Sequence, residues 1–222
     1  MTREEELALR TGEGLARFLT FIDAIVAIAV TLLVLPLVEI AGEATKEESI
    51  LDLLGNDHNK GILISFLLSF VVIARLWLAH HRIFERVARY DQFIVVVTLG
   101  WALTIVVLPF PTALVAVYSS ERQPEVFYIG VLLLSSLCLS VLSWHVSRHP
   151  ELQREEAAGH PLASTFFTSI WYVAALLVAV AVPSRGYTAL LLLLLSGPTA
   201  RLWYRWRDGR QAEPKHAQRD YL

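Results

Sequence analysis

The sequence predicts an all-α integral membrane protein with six transmembrane helices. Three observations carry this. Hydrophobic residues make up 55% of the 222-residue chain and charged residues only 18%, too little charge for a soluble domain of this size. Mean hydropathy is +0.51. Six separate stretches approach or exceed the roughly 20 apolar residues that a bilayer core requires of a helix. They fall at 17–37, 61–82, 93–118, 125–146, 162–183 and 187–204.

The breaks between the stretches are polar. The first, at 39–60, is acidic and carries Gly55-Asn56-Asp57. The fourth, at 149–161, holds Pro150, Gly159 and Pro161, and the fifth is a tight turn built on Pro183-Ser184-Arg185-Gly186. Residues 1–16 read as a cytosolic N-terminal segment, 17–206 as the transmembrane domain and 207–222 as a polar cytosolic tail. The N-terminal stretch is acidic as well as basic and runs into an apolar segment too long for a signal peptide. No internal repeat is visible.

Lys and Arg set the orientation. Fourteen lie on the side that holds both termini and four on the other, with Arg75 inside the second helix. The positive-inside rule therefore predicts that both ends are cytosolic, and a multi-pass protein of the cell membrane is expected. A formal net charge of −2 gives no footing for nucleic acid. The single cysteine, Cys138, lies in an apolar run and reads as a small buried hydrophobe with no intrachain disulfide.

The first helix is the unusual one. Arg17 and Asp23 sit at or inside the edge of the apolar run 24–37. Ionisable groups there are expensive and mark either a pathway or a structural polar network. Projected on a helical wheel, Leu32, Leu35 and Thr31 fall within about 60° of Ile28 and form one stripe, while Asp23 lies about 140° away. Either face can look at lipid, at neighbouring helices or at a pore. Asp23 is expected to avoid lipid and to bond near the inner end of helix 2, where Arg75, Trp77, His80 and His81 are the available donors. The alternative for the histidines is the membrane interface, bonded to water or headgroups. Arg17 suits a vestibule, a bond to a backbone carbonyl or a snorkelling anchor. Pro36 has no N–H for the Leu32 carbonyl, so helix 1 is expected to kink or end there. Pro109 and Pro111 predict a second kink late in helix 3.

These residues resemble a known family. Arg17-x-x-x-Phe21-x-Asp23-Ala24, followed by Ile28, Thr31 and Leu35-Pro36, is similar to the first-helix R-x-x-x-F-S-D signature of the lysosomal potassium channel family of the transmembrane protein 175 type. Ser65-Phe66 and Trp77-x-x-His80-His81-x-x-Phe84 resemble its second-helix pattern, and Leu108-Pro109-Phe110-Pro111-Thr112 its third helix more weakly. The family's serine is Ile22 here. The resemblance implies a homotetramer with helix 1 lining a central pore. It maps the constriction onto Ile28, Leu32 and Leu35, selectivity onto Thr31, and a structural network onto Arg17, Phe21, Asp23, Trp77 and His80. The implied permeant ion is potassium, with no cofactor and no partner beyond other copies of the chain and membrane lipid.

The chemistry is coherent without the analogy. No Thr-Val-Gly-Tyr-Gly filter is present and the stripe carries no carboxylate ring. A hydrophobic constriction remains, gating by dewetting and by the difficulty of stripping water from an ion. Potassium holds its water less tightly than sodium, so modest potassium selectivity follows. A six-helix secondary transporter is the competing reading, but inverted repeats and broken midplane helices are not visible. An intramembrane enzyme would have to use Asp23, His80 and His81, or the i, i+4 pair His145 and His149. That pair lacks a third metal ligand nearby in sequence, so no metal is expected.

Overall fold

The computed structural model describes residues 12–43, 49–118 and 121–154. They form helices α1 (Gly12–Leu32), α2 (Leu35–Glu43), α3 (Ile50–Gly55), α4 (Asp57–Phe84), α5 (Gln92–Val107), α6 (Pro109–Val117) and α7 (Arg122–Arg148), with a 3₁₀ turn at Pro150–Leu152. Four stretches are long and apolar enough to cross a membrane: Gly12–Gly42, Asp57–Phe84, Gln92–Val117 and Arg122–Arg148. These correspond to the first four expected spans. The expected spans at 162–183 and 187–204, and the tail 207–222, lie outside the described residues.

Local chemistry explains the boundaries. Asn56 Oδ1 accepts from the His58 amide at 3.0 Å and starts α4. Asp91 Oδ1 accepts from the Ile94 amide at 2.9 Å and starts α5. Both expected proline breaks occur. α1 stops at Leu32, and the Leu33 and Val34 amides tighten onto the Val30 and Thr31 carbonyls at 3.3 and 3.2 Å. The chain then resumes as α2 through Glu43, beyond the apolar run that ends near residue 37. Glu39 is exposed on α2. At the second break the Leu108 amide shifts to the Ile105 carbonyl at 3.2 Å, and α6 starts at Pro109.

The core lies between α1, α4, α5 and α7. α1 contributes Leu15, Ile22, Val26 and Ala29, spaced to one face. Ile22, standing where the family signature has serine, is fully enclosed. It packs in the same cluster as Val72, Ile73, Trp101 and Leu132. The buried face of α7 is lined by Ser135, Ser136, Ser140 and Ser143. Small residues of this kind let membrane helices approach closely, since lipid offers no hydrophobic drive to pack them.

The ends of the bundle where α4 finishes and α7 finishes are tied together. The Ala88 amide donates to the Leu152 carbonyl at 2.8 Å and the Arg154 amide to the Arg86 carbonyl at 2.9 Å. Phe18 of α1 stacks on Tyr90 of the same connection, 6.1 Å between ring centres.

Candidate pore-facing helix and its anchor

α1 has two unlike faces. Ile22, Val26 and Ala29 are buried in the bundle. Ile28 is 61% exposed, Leu32 41% and Leu35 51%, and Thr31 is exposed with them. Leu35 begins α2 and remains on the outside despite the break at Leu33 and Val34. The Thr31 hydroxyl donates to the Ile28 carbonyl at 2.8 Å. It is thus held against its own helix, with both lone pairs of the oxygen open to an approaching donor or cation.

The carboxylate is anchored. Trp77 Nε1 donates to Asp23 Oδ1 at 2.8 Å, joining α4 to α1. Of the four candidate partners on helix 2, Trp77 makes this bond. Its ring stacks on His81 at 5.5 Å, and His81 Nε2 lies 3.5 Å from Glu85 Oε1. An indole N–H to a carboxylate is charge-assisted and directional, so it ties α1 to α4 and adds to the rotation already set by the buried Ile22, Val26 and Ala29.

The remaining residues of the expected network sit elsewhere. His80 is 1% exposed. Its ring lies flat on Trp101, with centres 4.3 Å apart and planes 3° apart, and tilted against Phe84 at 4.6 Å. Arg17 and Phe21 are exposed on the surface of the subunit, Phe21 by 56%. Within one subunit the structure therefore brings Asp23 and Trp77 together, gives His80 an aromatic bed on α5, and leaves Arg17 and Phe21 outside.

One polar pair escaped sequence reasoning. His145 Nε2 lies 2.7 Å from Asp91 Oδ2, with Phe93 stacked on His145 at 4.3 Å. Burial pushes the Asp91 carboxyl up, but the Ile94 amide, the hydrogen bond to His145 and the nearby His145 and His149 charges outweigh it, so the group stays below its ordinary value. Asp91 before an apolar run is a helix-start signal that sequence can supply; its pairing across 54 residues is not. Asp91 brings a third group toward the histidine pair, yet His149 Nδ1 is turned to the His145 carbonyl at 2.9 Å. Among the described residues no three His, Cys, Asp or Glu side chains are arranged to hold a metal.

Comparison with known proteins places this geometry in a family. Residues 17–109 match the family model described as endosomal/lysosomal potassium channel TMEM175. A potassium channel of Streptomyces collinus is 30% identical over 132 residues, which cover 58% of this chain and 62% of that one, under two thirds of its length. A potassium channel of Chamaesiphon minutus is 32% identical over 151 residues, covering 65% of this chain and 71% of that one. The human endosomal/lysosomal proton channel TMEM175 is 30% identical over 112 residues, only 21% of its length. The fold is similar to the crystal structure of a lysosomal potassium-selective channel TMEM175 homolog from Chamaesiphon minutus, with a TM-score of 0.62 and 27% identity over 86% of this chain and 96% of that one. On the matched segment, the extent of the Chamaesiphon similarity and the shared fold, the chain belongs to the TMEM175 family, a family of ion channels and not of enzymes.

Proposed function

We propose that this chain is the subunit of a potassium-selective channel of the cell membrane whose ion path is lined by α1. The observation that carries the reading is the asymmetry of that helix. Its Ile28, Leu32 and Leu35 stripe is left uncovered while its back is buried and Asp23 is bonded to Trp77. Apolar side chains exposed on a lone membrane subunit suit lipid or another copy. The locked rotation and the family's potassium channels favour a shared axis.

In this reading four subunits of six helices each surround the path. Residues 17–206 form the channel domain, and both termini and the 207–222 tail are cytosolic. Ile28 forms the narrowest ring, with Leu32 and Leu35 as further apolar layers. Such a ring resists wetting, and an ion passing it sheds part of its hydration shell. Potassium sheds water more readily than sodium. The Thr31 oxygens, one helical turn from Ile28, return some of the lost coordination. No cofactor takes part; potassium is the permeant ion. Arg17 and Phe21 face neighbouring subunits, and the Asp23–Trp77 bond holds the ring to its radius from behind.

The experiment is flux through purified protein in liposomes under a potassium gradient, followed by single-channel recording in planar bilayers. Channel-scale currents that reverse nearer the potassium than the sodium equilibrium potential support the proposal. Slow, saturable exchange without unitary currents contradicts it.

A further inference from the structure

Buried polar side chains run through the bundle, and several are satisfied by neighbours. Ser69 Oγ lies 2.9 Å from Thr112 Oγ1 and 3.1 Å from Tyr128 Oη. The Thr104 and Thr112 hydroxyls donate to the Trp101 and Leu108 carbonyls at 2.6 and 2.8 Å. His80 Nε2, Thr98 Oγ1, Trp101 Nε1 and Ser135 Oγ differ. Each is enclosed, and none meets a hydrogen-bonding partner among the described residues.

These four atoms stand at one height in the bundle. α5 and α7 run antiparallel, and their registers are pinned where Asp91 meets His145 at 2.7 Å. Trp101 lies ten residues past Asp91 and Ser135 ten residues before His145, so both stand about 15 Å along their helices from that contact. Thr98 is one turn from Trp101 on α5. His80 of α4 reaches the same level because its ring lies flat on Trp101, 4.3 Å away. α4 and α5 thus bring His80 and Trp101 into contact, Thr98 lies one turn away, and Ser135 of α7 stands at the same height; all four are at most 1% exposed. The fifth such atom, Ser65 Oγ, is about 22 Å along α4 from His80 and is separate.

We propose that His80, Thr98, Trp101 and Ser135 form a binding site for ordered water inside each subunit, wedged between α4, α5 and α7. The donor inventory selects the ligand. Trp101 Nε1 can only donate, the two hydroxyls can do either, and His80 Nε2 follows its tautomer. Water accepts from the indole and serves both roles for the others, and buried waters typically take about three such bonds. A cation is refused, because the indole N–H turns its proton toward the occupant. The site also has a job to do. His80 is one turn from Trp77 on α4, and Trp77 holds Asp23 of α1. The water-filled junction is the floor on which the anchor of the pore-facing helix rests.

The test is water-edited solid-state NMR on the full chain in lipid, with ¹⁵N-labelled tryptophan and histidine side chains. The Trp101 indole signal, assigned by its loss in Trp101→Phe, is expected to draw magnetisation from water as fast as surface indoles do, despite its complete burial. Ser135→Ala, a milder change, is expected to slow that transfer by about twofold or more, since it removes one of the groups that hold the water. If the folded chain shows no water transfer to Trp101, the proposal is overturned. A density map in which the four atoms bond to side chains from outside the described residues overturns it equally.

Discussion

The first span and the last described span meet their surroundings in opposite ways. In its most apolar window Gly12–Gly42 has 22% of its residues buried, whereas Arg122–Arg148 has 50%. α7 presents serines inward and is packed from several sides; α1 is packed on one side and bare on the other. Hydropathy alone would rank them the reverse way, since the first span is the more apolar. A helix that is most apolar and least covered leaves that face to lipid or to another copy. The polar residue that controls it, Asp23, is turned to its own subunit. The difference separates a structural helix from one whose outer face is free to do work.

The strongest challenge to that division is to wet the bare face. Ile28→Asn is expected to raise conductance and to lower the potassium-over-sodium permeability ratio, because in the proposed tetramer four carboxamides act at one level. A return of on the order of 1.4 kcal/mol of dehydration free energy changes the rate about tenfold. Single-channel recording measures both quantities. An unchanged conductance would place Ile28 against lipid.

Cutting the anchor tests the tie between α1 and α4. Trp77→Phe keeps an aromatic ring, though a smaller one, and removes the bond to Asp23. It is expected to lower assembly and thermal stability of the detergent-solubilised oligomer by about 1 kcal/mol, the range of hydrogen bonds between membrane helices. Asp23→Asn is expected to do less, since a carboxamide oxygen still accepts from the indole. Size-exclusion profiles and melting curves read this. If either variant assembles normally but loses permeation, the carboxylate lines the path and the rotation assigned to α1 is wrong.

Thr31→Ala is expected to keep permeation and to shrink the potassium-over-sodium ratio less than Ile28→Asn does, because it removes hydroxyl oxygens without opening the apolar ring. Bi-ionic reversal potentials report the ratio. An unchanged ratio would show that Thr31, bonded to the Ile28 carbonyl, never reaches the ion.

A smaller effect concerns Asp91. Its carboxyl is held below its ordinary value of 3.8 in the folded chain. The sign follows: the unfolded chain takes up the proton first, so the stabilisation is complete above pH 3.8 and is lost as pH falls toward the folded value. Asp91→Gln, which cannot carry the charge, is expected to be less stable near neutrality. It should also show a shallower stability loss in that acid window, read by thermal unfolding against pH. Identical slopes for the two proteins would remove His145 and the α5 cap as the source.

How much of this was legible in the sequence follows from the range of each interaction. Pro36 and Pro109 announce their kinks because a missing N–H acts within four residues. Asp23 stood out because a carboxylate beside an apolar run has few places to go, and the inner end of helix 2 offered four donors, including the Trp77 that binds it. Choosing among those four required the packing of α1 on α4. His80 was visible as a polar residue in an apolar helix, but its bed on Trp101 depends on how α5 crosses α4. Asp91 was visible as a cap but not as the partner of His145. Phe21 shows a further boundary: a signature says which residue recurs, while its exposed face is set by the rotation of α1 against α4 and α5. The helix beyond Pro36 was missed because apolar length measures the hydrocarbon layer, and α2 continues to Glu43 past the apolar run.

In the proposed channel the bare face of α1 meets the ions and the covered face does not. Cysteine accessibility, in a Cys138→Ser background, separates the two faces. Ile28→Cys and Leu32→Cys are expected to lose current on exposure to a small cationic thiol reagent, and to be protected by high potassium. Val30→Cys, half-buried against the core, is expected to be unaffected. Block of Val30→Cys with Ile28→Cys left conducting would contradict the account.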